Sequence, residues 1–334
     1  MNSFDYQFKA QLHRWLHRER PGRLAVALGE SVGKQASRIA KRRRNILSLE
    51  TPALVVGSLT LGGAGKTPVA ALIAETLHRD YGYRTALVCR GWGGVETATR
   101  VVQTTSPGQD GDEAAMLRAR LPGEIVLWAS RDLEAGRRGA SSEADVVVID
   151  DGLQTAKLAR SHNVVVIDAT APRRMLPAGP YREPLNTLRR DDFIWVHKVD
   201  EPEARPLDVS VKADVRSRYV ARSVVLPDGR CVPATWLEGR EVVAVCGIGR
   251  PESFLHQLEL LGAKVKGGII CDDHRSASPE RLAKISKDAC IVTTAKDAVR
   301  WSGSDRPAVL NVGIDILEGG ERLRDFLRAL EPPC

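Results

Sequence analysis

Residues 55–68, Val-Val-Gly-Ser-Leu-Thr-Leu-Gly-Gly-Ala-Gly-Lys-Thr-Pro, constrain the fold of this chain more than any other stretch. A short apolar run of strand type breaks into a glycine-rich turn, and from Val69 to Leu77 the apolar spacing fits a helix packed by one face. Strand, flexible loop, Gly65-Lys66-Thr67 and helix is the layout of a phosphate-binding loop. Gly62, Gly63 and Gly65, with Ala64 among them, let backbone N–H groups turn toward one point, and the helix start adds partial positive charge there. Lys66 is then placed to reach the outer phosphates of a nucleotide, and the Thr67 hydroxyl to bind Mg²⁺. Thr60 stands where the general pattern G-x-x-x-x-G-K-[ST] has its first glycine, so Gly62 and Gly63 are expected to supply the flexibility.

The rest of the chain alternates in α/β fashion around this unit. Strand-like runs at 54–56, 85–89, 125–128, 146–149, 164–167 and 193–196 alternate with helical patterns, which implies a mainly parallel sheet of P-loop NTPase type with ligands at the carboxyl ends of its strands. Residues 201–206, with Pro202 and Pro206, read as a linker. Beyond it a hairpin (219–226 and 231–235) leads into a second, smaller α/β set: strands at 242–246, 265–271, 291–294 and 308–312, and helices at 252–261, 279–287 and 320–330. The expected organisation is an N-terminal segment over 1–50, a P-loop domain over 51–205 and a second α/β domain over 206–334.

Charge separates the first segment from the rest. Residues 1–50 hold eleven Lys or Arg against four acids, an excess that equals the formal charge of +7 for the whole chain, so everything after residue 50 is near neutral. A basic arm on a neutral body points to an anionic partner, either membrane or nucleic acid. Phe4, Phe8, Leu12 and Leu16 recur at helical spacing, and a second helical stretch runs from Leu24 to about Ala40 and ends in Lys41-Arg42-Arg43-Arg44. That pattern suits a helix lying in a membrane interface and equally a helix pair packed on the domain. No run of about 18 apolar residues is present. The six cysteines form no C-x-x-C pair, and several fall inside strand-like runs, as buried thiols in a reducing compartment would.

Val146–Ile149 is a strand ending in Asp150 and Asp151, and two adjacent carboxylates beside a phosphate loop suit a metal site. Gly111-Asp112-Glu113 opens a helix and by itself reads as a cap, since acids are favoured in a first turn. His274, after Asp272-Asp273 at a strand end, reads by itself as structural.

In order along the chain, the loop at 57–68, Arg90-Gly91-Trp92-Gly93-Gly94, Gly111-Asp112-Glu113, Asp150-Asp151-Gly152-Leu153-Gln154, Gly179-Pro180-x-Arg182-Glu183-Pro184, Gly247-Ile248-Gly249, Asp273-His274 and Thr293-Thr294-x-Lys296-Asp297 resemble the tetraacyldisaccharide 4′-kinases of lipid A synthesis. The family's loop also carries Ser or Thr at the position of Thr60. Trp92, Leu153 and Ala295 stand where the family usually has Tyr, Phe and Glu, and Arg275 replaces a second aromatic or His.

The resemblance implies transfer of the ATP γ-phosphoryl group to the 4′-hydroxyl of a lipid A disaccharide 1-phosphate. It makes Asp112 the base, His274 its partner from the second domain, and Lys66 the cation on the phosphoryl group. Arg90, Arg182, Glu113 and Gln154 are expected on the substrate or transition-state side, and Thr67, Asp150, Asp151 and Glu183 around Mg²⁺. It further implies a peripheral enzyme, expected as a monomer, that meets an anionic membrane surface at the cytoplasmic face of the inner membrane, with no nucleic-acid partner. His197-Lys198-Val199-Asp200 is faintly like the guanine-reading Asn-Lys-x-Asp but lacks the asparagine, and it is weighed as a chance match.

Overall fold

The computed structural model describes residues 22–40, 49–207, 211–248, 251–270, 290–301 and 306–330. Its strands are β1 (Ala53–Gly57), β2 (Thr85–Cys89), β3 (Arg100–Val101), β4 (Val126–Ala129), β5 (Val146–Asp150), β6 (His162–Asp168), β7 (Asp192–His197), β8 (Val215–Val225), β9 (Cys231–Pro233), β10 (Glu241–Cys246), β11 (Lys264–Ile270), β12 (Cys290–Thr294) and β13 (Ala308–Glu318). The helices are α1 (Arg23–Ala40), α2 (Lys66–Tyr81), α3 (Pro107–Asp110), α4 (Asp112–Arg120), α5 (Leu133–Ser141), α6 (Pro251–Leu260), α7 (Ala295–Ala298) and α8 (Gly320–Arg328).

All the described strands belong to one thirteen-stranded sheet in the order β11-β10-β12-β13-β8-β7-β6-β1-β5-β2-β4-β3, with β9 on β8. From β7 to β4 every pairing is parallel. Parallel strands need crossovers that cover both faces, so their sequences read as continuous apolar runs, as in the fully buried Val146–Ile149. Alternate residues serve opposite faces. Leu54, Val56 and Val148 join Ile73 and Leu77 of α2, whereas Val55, Val147 and Ile149 join Leu133 and Ala140 of α5. Truncating such a residue to alanine costs about 2–5 kcal/mol. Because the central strands run the same way, their carboxyl ends share one edge, and the phosphate loop after β1 opens there.

β8 and β13 join the two halves. They pair antiparallel over most of their length, and β8 also runs parallel to β7, so one sheet takes in strands from both sides of the region read as a linker. There the Arg205 N–H donates to the Ala169 carbonyl. Strand β13 extends to Glu318, six residues past its expected end at Val312, because Gly313–Glu318 find partners on β8. Val242, Ala244, Phe254, Leu258, Val292 and Leu310 form the core of the second half.

Helix α1 matches the second expected N-terminal stretch. Gly29 and Gly33, one turn apart, let it approach Met175: a Cβ at Gly29 would lie 3.1 Å from the Met175 carbonyl oxygen, and one at Gly33 3.2 Å from Met175 Cγ. Leu24, Leu28 and Val32 are exposed. The helix read from Phe4 to Leu16, the basic run 41–44, the expected helix at 279–287 and the Asp273-His274 motif lie outside the described residues. No helix among the described residues is long and apolar enough to cross a membrane. Cys89, Cys231, Cys246 and Cys290 are free thiols, of which Cys89 and Cys246 are buried.

Candidate active site

The phosphate loop takes its shape from left-handed glycines: Gly62, Gly63 and Gly65 have φ of 64°, 71° and 84°. At Gly65 space forbids any side chain, since a Cβ would lie 2.6 Å from His197 Cδ2. No side chain caps the start of α2, which leaves its first amides free for an anion. Thr60, the departure from the general pattern, is buried, and its hydroxyl lies 3.0 Å from that of Ser58. The loop's first half is braced from outside: the Leu61 N–H donates to the Pro180 carbonyl and the Arg182 N–H to Leu59.

Three acids surround Lys66 and Thr67. The Thr67 hydroxyl lies 2.6 Å from Asp150 Oδ2 and 2.6 Å from Glu113 Oε1. It has one proton and so donates to only one of them. Asp150 is buried, and its Oδ1 has no hydrogen-bond partner among the described residues. Burial, then the nearby Glu113 charge, push its carboxyl up to about 7. Asp151, at a left-handed φ of 54°, lies 3.6 Å from Lys66 Nζ and 3.5 Å from Arg182 Nη2. This last contact brings the Gly-Pro-x-Arg motif to the phosphate side of the loop.

The other expected residues divide between this cluster and its supports. Glu113, expected on the substrate side, lies on Thr67 together with Asp150. The buried Glu183, expected near the metal, accepts from Thr187 and donates its N–H to Leu59. Arg90 donates to the Asp151 carbonyl and to the Thr155 hydroxyl, and Gln154 Nε2 donates to the Ser58 carbonyl, so both brace the loop that carries the acid pair. Asp112 is buried at the start of α4, and its Oδ2 accepts from Arg300 at 2.6 Å. His274 lies outside the described residues. Among the described residues no three or more His, Cys, Asp or Glu converge as a metal cluster.

On the other side of the loop stand residues that sequence reasoning set aside. Lys198 Nζ donates to the Gly63 carbonyl at 2.6 Å and to Asp168 Oδ2 at 2.6 Å. His197 packs edge-on against Tyr219, and Ser217 Oγ lies 2.8 Å from its Nδ1. Burial, with the Lys198 charge beside it, pushes the imidazole down to about 3, so it is neutral. The signal was the His197-Lys198-Val199-Asp200 run. Its lysine reaches the phosphate loop, whatever base the site accepts.

A glycine cradle with Lys-Thr at a helix start and a strand-end acid on the threonine hydroxyl defines a nucleotide-binding protein of the phosphate-binding-loop class. The family model described as tetraacyldisaccharide-1-P 4′-kinase matches residues 24–331. A tetraacyldisaccharide 4′-kinase of Anaeromyxobacter sp. (strain K) is 35% identical over 93% of both chains. One from Methylorubrum populi is 39% identical over 77% of this chain and 79% of its own. A crystal structure of LpxK from Aquifex aeolicus in complex with ATP is 25% identical with a TM-score of 0.71, covering 91% of this chain and 98% of that one. The chain belongs to the tetraacyldisaccharide-1-phosphate 4′-kinase family, enzymes that phosphorylate a lipid A precursor.

Proposed function

We propose that this kinase transfers the γ-phosphoryl group of ATP to the 4′-hydroxyl of a tetraacylated glucosamine disaccharide 1-phosphate, with Asp112 as the base. The observation that carries this reading is the convergence of Lys66, Thr67, Asp150 and Glu113 at the loop, with Asp112 next in sequence to Glu113. The loop amides and Lys66 hold the phosphates and offset charge on the transferring group, aided by Arg182 beside Asp151. Asp112, whose carboxylate pairs with Arg300, takes the hydroxyl proton, and positioning supplies much of the rate.

The donors also fit Mg²⁺: a buried carboxylate oxygen with no hydrogen-bond partner among the described residues, a second carboxylate and a hydroxyl suit an ion that keeps several waters and phosphate oxygens as ligands. When bound, Mg²⁺ neutralises phosphate charge during transfer. Thr67 and Asp150 would hold it, with Glu113 or Asp151 close by.

The basic N-terminal arm and the exposed Leu24, Leu28 and Val32 of α1 support peripheral contact with an anionic membrane at the cytoplasmic face, where the acyl chains of the substrate stay in the bilayer. Incubation with labelled ATP, Mg²⁺ and the disaccharide 1-phosphate should give a bis-phosphorylated lipid. Lys66→Ala should reduce its formation by on the order of a thousandfold. GTP supporting turnover as well as ATP, or hydrolysis that ignores the lipid, would contradict the reading.

A further inference from the structure

Two motifs of the second half, Gly247-Ile248-Gly249 and Thr293-Thr294-x-Lys296-Asp297, have no part in the chemistry described so far. Both end on one side chain. Asp297 is buried, and its Oδ2 accepts from the Gly247 N–H at 3.0 Å and from the Thr294 hydroxyl at 2.7 Å. Its Oδ1 lies 3.3 Å from Arg300 Nη1. Arg300 Nη2 then reaches across to the first half and donates to Asp112 Oδ2 at 2.6 Å, with only 7% and 9% of the two side chains exposed. The Gly247 turn, the α7 cap, Asp297, Arg300 and Asp112 thus form one chain of contacts from β10 to the start of α4.

We infer that Arg300 is a positioning residue of this kinase: its buried ion pair across the two halves fixes the orientation of the Asp112 carboxylate. The inference rests on Asp112 being the base. Arg300 is suited to the task because its planar fork spans two carboxylates, which a lysine ammonium does as a point charge. Asp297 fixes the far side of the fork, so the guanidinium is set before substrate arrives. Glu113, the next residue, faces Thr67, and Asp110, two residues earlier, pairs with Arg100 at 2.9 Å.

The test is a double-mutant cycle on full-length protein with ATP and detergent-dispersed disaccharide 1-phosphate, using Arg300→Met, Arg300→Lys, Asp112→Ala and Arg300→Met with Asp112→Ala. Arg300→Met should lower kcat by about tenfold to a hundredfold, with KM for ATP within about twofold of wild type. Arg300→Lys should recover part of the loss, and Arg300→Met should add nothing in the Asp112→Ala background. Wild-type kcat in Arg300→Met, or a loss that multiplies with that of Asp112→Ala, overturns the inference, the second by showing that Arg300 acts without Asp112. If Arg300→Met melts without a cooperative transition, Asp297→Asn decides: it keeps the Asp112 pair and frees the far side, and unchanged kcat there overturns the inference. Full activity in Asp112→Ala removes the base itself, an outcome distinct from inactive Asp112→Ala with normal Arg300→Met.

Discussion

The phosphate loop is held between two buried acids that differ in almost every electrostatic respect. Asp168, at the end of β6, has an ammonium 2.6 Å away in Lys198 and further donors in the N–H and hydroxyl of Thr170. Burial works against its charge, yet Lys198 and these hydrogen bonds hold it below the ordinary carboxylate range. Asp150, at the end of β5, has a threonine hydroxyl, a second acid across it and one oxygen with no hydrogen-bond partner among the described residues. Burial and Glu113 push it up to about 7. The first site is electrically complete and serves as a clamp on the Gly63 carbonyl. The second is short of positive charge, as the proposed Mg²⁺ site would be before nucleotide arrives.

Removing one charge from each site should therefore change stability in opposite directions. The larger effect is expected for Lys198→Met, which leaves Asp168 buried without its cation and should cost about 3–5 kcal/mol in urea unfolding. The freed loop should also raise KM for ATP. An unchanged unfolding midpoint would break the comparison.

The smaller effect is expected for Asp150→Asn, and it depends on pH. A carboxyl whose folded value of about 7 lies above its ordinary value binds its proton more tightly when folded. Its contribution to stability is therefore complete in acid and is lost as pH rises through about 7. The nucleotide-free Asp150→Asn protein should melt above wild type at pH 8 and close to it near pH 4. Equal melting temperatures at both pH values would place Asp150 with Asp168, as an acid already satisfied.

Much of this architecture is legible in the sequence, for physical reasons. Strands buried on both faces read as unbroken apolar runs, and the phosphate loop announces itself because glycine, lysine and threonine each have a separate task there. What local patterning misses is pairing across long separations. The Arg300–Asp112 bond spans 188 positions and the Lys198–Gly63 bond 135. The last six residues of β13, beyond the expected end at Val312, are held as strand by their pairing with β8. The place of Glu113, expected on the substrate side, is of the same kind, since only the packing of α4 against the loop brings it to the Thr67 hydroxyl.

The claim on which the rest depends is that the Asp150 site is completed by a cation arriving with nucleotide. Titration calorimetry with a non-hydrolysable ATP analogue, with and without Mg²⁺, measures this directly on wild type and Asp150→Asn. Mg²⁺ should tighten binding to wild type by on the order of tenfold or more and tighten binding to the variant far less. Equal tightening in both proteins would contradict the account.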